Sequence, residues 1–340
     1  MSAKSKPSIN DVARLAGVST ATVSRSLNDP GKVSRSTLEN VRNAVERLDY
    51  TPHFGGRALA SNKSNTVGAL IPTMDNAIFA RGLQALQETL ADAGVTLLIA
   101  TTGYDPQREY EQIQALLRRG VDGLMLIGTS RPERTYALLS RQDLPVVITW
   151  SYDPDSMYPC VGFDNQSAAV ELTKLVLDHG HRRIAMIAGV SNGNDRAADR
   201  IKGVRGALTA HRLTLPDDYI IETPYNLEDA ATAMEALMAL PSRPTAVICG
   251  NDVLAAGALM HAKKAGITVP VDVSIVGFDN IDLASVTDPP LTTVHVPHRR
   301  MGQAAAELLL ALNSGEANVT GVEFQPELVL RGSLARPPRA

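Results

Sequence analysis

From Thr66 onward the chain alternates between short apolar runs and stretches with helical periodicity. The apolar runs, which we predict to be strands, are VGALI (67–71), VTLLIA (95–100), GLMLI (123–127), PVVIT (145–149), RIAMIA (183–188), YIIE (219–222), TAVIC (245–249), VSIVGF (273–278) and a last strand around 322–330. The predicted helices lie near 77–93, 106–119, 132–141, 197–212, 228–240, 253–265 and 299–313. Nearly continuous apolar strands that alternate with helices predict parallel sheets with helices on both faces. Because a loop with Pro154 and Pro159 separates two serial sets of these units, we expect two doubly wound lobes.

The first 52 residues follow a different pattern, that of three short helices. Ser8 and Asp11 are placed to cap the first helix, and Gly17 can end it in the left-handed conformation. The predicted buried face of this helix consists of Val12, Leu15 and Ala16. Ser19 is placed to cap a second helix and Ser34 a third. We therefore expect an all-α helix-turn-helix headpiece.

The second predicted helix turns small polar residues and one arginine outward. These residues are Thr20, Ala21, Ser24, Arg25 and Asn28. Small side chains allow a close approach to base pairs, and arginine can pair bidentately with guanine, so this face suits the DNA major groove. A helical hairpin with a solvated face is the alternative at this point.

The distribution of charge favours the DNA-binding interpretation. Residues 1–63 contain ten Lys or Arg and five Asp or Glu, a net charge of +5. Because the whole chain carries −3, the remaining residues carry −8. A basic head on an acidic body is typical of a head that contacts phosphates and a body that does not.

Other function classes lack their sequence signals. Cys160 and Cys249 lie in or beside apolar runs, which favours buried thiols over a disulfide or a metal site. The seven histidines show no metal-binding spacing, and no nucleotide fingerprint is present, so we expect no cofactor. No signal segment follows Met1, and no run reaches the ~20 apolar residues of a membrane helix. We therefore expect a cytoplasmic protein without a membrane partner.

The run from Ile9 to Pro52 resembles the DNA-binding headpiece of the lac-repressor (LacI) family. The segments DVARLAGVSTATVSRSLN and KVSRSTLENVRNAVERLDYTPH match that pattern almost position by position. Further matches are VGFDN (161–165), GHRRIA (180–185), GND (250–252), VSIVGFDN (273–280) and PPLTTV (289–294). The resemblance implies a periplasmic-binding-protein-like body whose lobes are joined by three crossings, which we place near 160, 291 and 325. The expected parts are a headpiece at 1–52, a hinge at 53–63, and a body at 64–340 with lobe one at about 64–160 and 292–325 and lobe two at about 161–291 and 326–340.

The resemblance also implies which residues contact operator DNA. Arg25 is expected to read a guanine, with Thr20 and Ala21 against neighbouring base pairs. Expected phosphate contacts are Thr22, Ser24, Ser34 and Thr37, and further candidate contacts are Asn28, Tyr50 and His53. The family's hinge helix places a leucine in the minor groove, here Leu59 with Ala60 beside it. Because Gly55 and Gly56 stand where the family has better helix formers, a flexible linker is the alternative.

Ligands of open parallel sheets bind beyond the carboxyl ends of the strands. Trp150 and Asp279 directly follow two of the predicted strands, and Asn251 and Asp252 come after a third, TAVIC, and its following glycine. The resemblance implies that Asp279, Arg200 and Trp150 contact an effector, and that Phe79 and Tyr225 match aromatic positions that stack on it in purine-binding members. At Trp150 the sequence departs from the Asp of several members, which leaves the class of effector open. A core position for Trp150 is the alternative.

The chemistry of the effector rests on two arginines. Arg196 precedes Arg200 by one helical turn, so both guanidinium groups are expected on one side of the cleft. Two guanidiniums predict a small polyhydroxylated anion such as a sugar acid. A neutral sugar, with Arg196 pointing to solvent and Trp150 against the sugar ring, is the alternative. We also predict that Asp252 caps the helix that begins at Val253.

A catalytic interpretation competes with this one. Gly189–Gly193, GVSNG, is a G-x-S-x-G string after a predicted strand, with Asp279 and His295 or His298 later in the chain. However, a polar loop follows Ser191 where a hydrolase turns straight into a helix, and no oxyanion string precedes it. We therefore predict a non-enzymatic transcriptional repressor that binds palindromic DNA as a homodimer under effector control, with an α/β-hydrolase as the alternative.

Overall fold

The structure, a computed structural model, describes residues 7–51, 63–75, 77–317 and 319–338, without the side chains of Asn28 and Ala77. The chain forms two compact units, Met1–Ser64 and Asn65–Ala340. The expected hinge contacts His53, Leu59 and Ala60, and the glycines at 55 and 56, lie outside the described residues. In the part that is described, no helix is both long enough and apolar enough to cross a membrane.

The first unit contains the three predicted helices, α1 (Ile9–Ala16), α2 (Thr20–Asn28) and α3 (Arg35–Leu48). The Asp11 carboxylate accepts hydrogen bonds from the backbone N–H of Ser8 at 3.0 Å and from its hydroxyl at 2.7 Å. Gly17 ends α1 with φ = 67°, the left-handed conformation that glycine adopts most easily. The local signals in the sequence therefore determine where α1 begins and ends.

The core of the first unit corrects one predicted position. Its buried residues are Val12, Ala13, Ala16, Val23, Val41, Ala44 and Tyr50. Leu15, which we expected to be buried, is 41% exposed, and Ala13 is buried instead. Successive residues are about 100° apart around a helix, so a stripe centred between residues 12, 13 and 16 turns residue 15 away. Because α1 packs against α3 and α2 together, the stripe is rotated from the predicted one.

The second unit follows the predicted alternation of strands and helices. In chain order its elements are β1 (Thr66–Ile71), α4 (Ala77–Asp92), β2 (Thr96–Thr101), α5 (Pro106–Arg118), β3 (Gly123–Ile127), α6 (Glu133–Ser140), β4 (Val146–Thr149), β5 (Cys160–Gly162), α7 (Asn165–Asp178), β6 (Ile184–Gly189), α8 (Asp195–Ala210), β7 (Ile220–Thr223), α9 (Leu227–Met238), β8 (Ala246–Cys249), α10 (Asp252–Lys264), β9 (Ser274–Val276), α11 (Leu283–Val286), β10 (Thr293–His295), α12 (His298–Ser314), β11 (Val322–Glu323) and β12 (Glu327–Val329).

These elements form two lobes, as the sequence predicts. The first lobe has a parallel sheet in the order β11-β5-β4-β3-β1-β2, and the second has a parallel sheet in the order β7-β6-β8-β9. An antiparallel pair, β10-β12, joins the edge of the second sheet through isolated bridges at Val276–Thr292 and Asp279–His295. The expected fold class, a helical headpiece and a body of two parallel α/β lobes, is confirmed.

The elements that the sequence pattern does not predict are the long helix α7, the short helix α11 and the short strands β5 and β10. Asp164 caps α7, because its carboxylate accepts a hydrogen bond from the backbone N–H of Ser167 at 3.0 Å. Ala168, Leu172 and Val176 form the buried stripe of α7 at the spacing of a helix, a signal that was present in the sequence. The expected last strand is two strands in different sheets, since Pro326 interrupts it where the chain leaves the first sheet.

The crossings lie a few residues from the expected positions. Val161 and Gly162 still belong to the first sheet, within β5, while the following helix α7 packs on α8 of the second lobe. Similarly, β10 pairs with β12 beside the second sheet, and α12 then packs on α4 of the first lobe. The first two crossings are therefore at about 163 and 296 along the described chain.

Two glycines allow α4 and α12 to approach closely. A Cβ atom on Gly302 in α12 would collide with the backbone carbonyl of Gly82 in α4. A Cβ atom on Gly82 would in turn collide with the ring of Trp150. This contact holds the start of α12 against the carboxyl end of β4.

Candidate functional site

Two helix N-termini of the first unit carry hydroxyl caps. The Ser19 hydroxyl accepts from the backbone N–H of Thr22 at 3.2 Å, and the Ser34 hydroxyl accepts from that of Thr37 at 3.3 Å. The paired hydroxyls lie 2.9 Å apart at α2 and 2.8 Å apart at α3. Helix N-termini with free N–H groups favour anions, so the expected phosphate contacts lie where a DNA backbone would be stabilised.

The face of α2 that we expect to contact DNA is mostly exposed to solvent. Thr20, Ala21 and Arg25 are exposed and Ser24 is half-buried, while the side chain of Asn28 is outside the described parts. Tyr50 differs, because its ring is buried in the core of the unit. The ring of Tyr50 therefore packs within the headpiece, and its expected contact with DNA stays a prediction.

Arg200 and Asp279, expected at the effector cleft, form a buried ion pair in the second lobe. Nη2 of Arg200 lies 3.5 Å from Oδ1 of Asp279. Nε of Arg200 donates to Oδ1 of Asn165 at 3.0 Å, and Nη1 donates to the carbonyl of Gly250 at 2.5 Å. The guanidinium also lies over the Phe278 ring, 3.7 Å from its centroid. Four partners therefore fix this guanidinium in one position.

Asp279 has unused hydrogen-bonding capacity. Its φ is 99°, a left-handed conformation that is uncommon outside glycine and is found at functional sites. Both carboxylate oxygens are buried, and neither accepts a hydrogen bond from any described residue. Buried carboxylates normally accept several hydrogen bonds. This carboxylate can therefore accept hydroxyl or N–H groups of a bound molecule.

The capping role that we predict for Asp252 belongs to Asn251 in the structure. Asn251, and not Asp252, caps α10, because its Oδ1 accepts from the backbone N–H of Leu254 at 2.9 Å. Its Nδ2 has no hydrogen-bond partner among the described side chains and backbone. The Asp252 carboxylate accepts from the backbone N–H of Ile281 at 2.8 Å and from the Thr293 hydroxyl at 2.6 Å. Burial and the nearby Asp279 carboxylate raise the pKa of Asp252 to about 7.

Arg196 corrects the basis of the anion prediction. It lies in the first turn of α8, as predicted, but it is buried, and its Nη1 lies 2.6 Å from Oδ1 of Asp195. Burial alone would raise the pKa of Asp195, but Arg196 and the hydrogen bonds from Thr129 outweigh it, so this pKa lies below its ordinary value. The charge of Arg196 is thus compensated within the protein. It neither points to solvent nor adds a free positive charge to the cleft.

Asp195 also joins the two lobes. Its Oδ2 accepts from the backbone N–H of Thr129 at 2.5 Å, from the Thr129 hydroxyl at 2.9 Å and from the Ser151 hydroxyl at 3.1 Å. Thr129 and Ser151 follow strands of the first lobe, whereas Asp195 begins α8 of the second. We call these three residues the interlobe latch. Arg81 of the first lobe and Asp282 of the second form a further ion pair between the lobes.

The expected aromatic positions divide into a core group and a cleft group. Phe79 and Trp150 belong to the core, with Trp150 only 2% exposed and the two rings in an edge contact at 5.4 Å. Trp150 is therefore packed in the core, and its expected contact with an effector stays a prediction. Tyr225 is half-buried, its hydroxyl accepts from Nδ2 of Asn194 at 3.3 Å, and its ring lies 6.2 Å from that of Tyr104. Tyr104 and Tyr225, from opposite lobes, line an open cavity between them.

His298, which the sequence suggests only for the hydrolase alternative, lies against Trp150. Nε1 of Trp150 donates to Nδ1 of His298 at 3.1 Å. The His298 ring is 4% exposed. Burial, opposed by the Asp279 carboxylate and reinforced by the Arg200 guanidinium, lowers the pKa of His298 from 6.5 to about 4. The imidazole is therefore neutral near pH 7.

This lowered pKa predicts a pH dependence of stability. Between about pH 6.5 and pH 4 the unfolded chain binds a proton at His298 and the folded chain does not, so acidification favours unfolding. Urea denaturation across this range should show the wild type losing stability relative to His298→Asn as the pH falls. A difference between the two proteins that stays constant with pH would contradict the assignment.

The geometry around Ser191 does not support the hydrolase alternative. Five residues, 190–194, separate the end of β6 from the start of α8, whereas a nucleophile elbow turns sharply from strand to helix. The backbone N–H of Ser191 donates to the Glu222 carboxylate at 2.7 Å, which places the loop beside β7. The string GVSNG is therefore a loop at the cleft.

A helix-turn-helix unit followed by two α/β lobes with a polar cleft defines an effector-controlled transcriptional regulator. Residues 8–53 match the family model of bacterial regulatory proteins of the lacI family, and residues 173–334 match a periplasmic binding protein-like domain. The chain belongs to the lacI family. It is a DNA-binding transcriptional repressor whose operator affinity is controlled by a small molecule.

Individual relatives agree with this assignment along the whole chain. The transcriptional repressor PurR of Vibrio parahaemolyticus is 36% identical over 334 residues, which cover 96% of this chain and 98% of PurR. A LacI family regulator from Silicibacter pomeroyi has a similar structure, with a TM-score of 0.90 at 27% identity over 97% of this chain and all of that one. The regulator CelR in complex with cellobiose has a TM-score of 0.70 at 27% identity, over 96% of this chain and 99% of CelR.

Proposed function

We propose that the cleft of the second unit binds a small polyhydroxylated effector, a sugar or a sugar acid, close to Asp279. The observation that carries this proposal is the buried Asp279 carboxylate, whose oxygens have no hydrogen-bond partner among the described residues. The unpartnered Nδ2 of Asn251, which follows the neighbouring strand β8, adds a donor. A site with both acceptors and donors suits hydroxyl groups, because a hydroxyl can donate and accept hydrogen bonds. The relative CelR, which binds cellobiose, supports a carbohydrate effector.

The balance of charge favours a neutral sugar over its acid. Arg200 faces Asp279, and Arg196 faces Asp195, so each guanidinium has its own buried carboxylate. A bound carboxylate would compete with these partners and would meet the negative charge of Asp279. We therefore place the sugar acid second among the candidate effectors.

Calorimetric titration of the full-length protein distinguishes the two candidates. The ligands are gluconate, 2-ketogluconate and galactonate, with glucose, galactose and cellobiose as the neutral sugars. We expect heat from a neutral sugar and unchanged affinity in Arg196→Ala, because that guanidinium is occupied by Asp195. Binding of an acid alone, lost in Arg196→Ala, would favour the anion. If none of the six ligands gave a heat of binding, a carbohydrate effector would be contradicted.

The exposed face of α2 is proposed to read the operator. Arg25 is its exposed cation, and Thr20 and Ala21 are small enough for close contact with base pairs. Thr22, Ser24, Ser34 and Thr37 are proposed to contact phosphates at the two helix N-termini. One headpiece is too small for the interface that specific binding requires, so we propose a homodimer on a palindromic operator. We place the protein in the cytoplasm with its DNA and assign it no catalytic reaction.

Replacement of Arg25 by alanine tests this interface. The change should weaken operator binding by ~1–3 kcal/mol and relax the preference at one base pair in each half-site. Binding selections with randomised half-sites measure both effects, and Arg42→Ala, an exposed arginine on α3, is the control. A uniform loss of affinity for every DNA sequence would instead make Arg25 a phosphate contact.

A further inference from the structure

His298 presents a hydrogen-bonding group that nothing described so far uses. It begins α12 in the first lobe, and the chain just before it lies against Asp279 of the second lobe, because the backbone N–H of Val296 donates to the Asp279 carbonyl at 3.4 Å and that of His298 donates to the Val296 carbonyl at 2.8 Å. Nδ1 is occupied by the indole N–H of Trp150 at 3.1 Å, with the two rings nearly stacked at 28°. Nε2 is buried and has no partner among the residues that the structure describes.

The contact with Trp150 determines which nitrogen of His298 carries the proton. The indole N–H is only a donor, so Nδ1 must be the acceptor and must lack a proton. A neutral imidazole then carries its proton on Nε2. His298 therefore presents an N–H donor whose position the hydrogen bond to Trp150 fixes.

We infer that His298 is an effector-binding residue, which donates a hydrogen bond from Nε2 to an oxygen of the bound sugar. Trp150 is the positioning residue that fixes the tautomer of His298. This inference rests on the proposed function, because it places its donor in the same cleft as Asp279. It gives Trp150 a role in positioning His298 in place of the direct contact with the ligand that the family resemblance implies.

The placement of the donor gives it a particular role. His298 belongs to the first lobe, whereas the acceptor Asp279 and the amide of Asn251 belong to the second. A hydroxyl group can accept from Nε2 on one side while another hydroxyl of the same ligand donates to Asp279. A neutral sugar can therefore bridge both lobes without disturbing the ion pair of Arg200.

Two substitutions of His298 separate its two nitrogens. In His298→Asn the amide oxygen can replace Nδ1 as the acceptor for Trp150, but no donor remains at Nε2. In His298→Gln the amide N–H can reach the position of Nε2. The probe is whichever of glucose, galactose and cellobiose binds the wild type most tightly. We expect His298→Asn to bind this sugar about three- to tenfold more weakly. We expect a smaller loss in His298→Gln and none in His211→Gln, an exposed histidine of the second lobe.

Two spectroscopic measurements control for a merely structural effect. Trp150 is the single tryptophan, so its fluorescence reports on this contact directly and should be little changed in His298→Asn without ligand. Nitrogen-15 chemical shifts of histidine-labelled protein distinguish a protonated from an unprotonated ring nitrogen. They should show the proton on Nε2 in the wild type and a mixture of tautomers in Trp150→Phe, which should also bind the sugar more weakly.

The outcomes distinguish this inference from the proposed function. Equal sugar affinity of the wild type and His298→Asn, with intact fluorescence, overturns the donor role and leaves the carbohydrate cleft standing. A proton on Nδ1 in the wild type overturns the role of Trp150. Silence of the wild type towards all three sugars overturns both the neutral-sugar effector and the donor that serves it.

Discussion

Replacing Arg200 by alanine is expected to lower the free energy of unfolding by about 3–5 kcal/mol, because it leaves the buried carboxylate of Asp279 without its counter-charge. The substitution also removes the hydrogen bonds to Asn165 and Gly250 and the contact with the Phe278 ring. Urea denaturation of the full-length protein, followed by circular dichroism, measures the loss.

Arg205→Ala provides a matched control on the same helix. Arg205 also pairs with an aspartate, Asp217, at 2.6 Å, but both side chains are largely exposed to solvent. Its loss should therefore cost less than about 1 kcal/mol. Adding Asp279→Asn to Arg200→Ala should recover part of the lost stability, since it removes the uncompensated charge. Equal effects of the two arginine substitutions would contradict a buried ion pair at Arg200.

Replacing Gly302 by alanine should destabilise the protein by about 1–3 kcal/mol, although alanine is the better helix former. The added methyl group would collide with the backbone carbonyl of Gly82, which cannot move aside as a flexible side chain can. The two helices must therefore separate, with a loss of packing around Trp150. Thermal or urea denaturation measures the effect, and the fluorescence of Trp150 should change with it.

Gly206→Ala is the control for helix propensity. Gly206 lies in α8, and a Cβ atom there would meet nothing within 4 Å. The substitution should stabilise the protein by up to about 1 kcal/mol. If Gly302→Ala proved as harmless as Gly206→Ala, the close approach of α4 and α12 would be refuted.

The parts of the fold that depend on neighbouring residues were predictable from the sequence. Strands such as β1 and β3 are continuous apolar runs, and the ends of α1 follow from Ser8, Asp11 and Gly17, all within nine residues of one another. Even the missed helix α7 carried a capping residue and an apolar stripe. The error at Leu15 shows the limit of this reasoning, since the orientation of a short helix depends on two partners at once.

The candidate site was predictable in its residues but not in their pairing. The positions after β4, β8 and β9 follow from the rule for open parallel sheets. The partners of Asp195, however, lie 66 and 44 residues earlier in the chain, at Thr129 and Ser151. No local pattern indicates such a contact. The pairing of Arg196 with Asp195 likewise appears only in the structure, although the two residues are neighbours in the sequence.

The interlobe latch makes opening of the cleft unfavourable in free energy. Separation of the lobes breaks three hydrogen bonds to the Asp195 carboxylate. A ligand that enters only the open cleft can then bind only the fraction of molecules that are open. Its apparent Kd equals the intrinsic Kd divided by this open fraction. The concentration of effector to which this repressor responds is therefore adjustable at Thr129 and Ser151, through the opening equilibrium and without a change in any ligand contact.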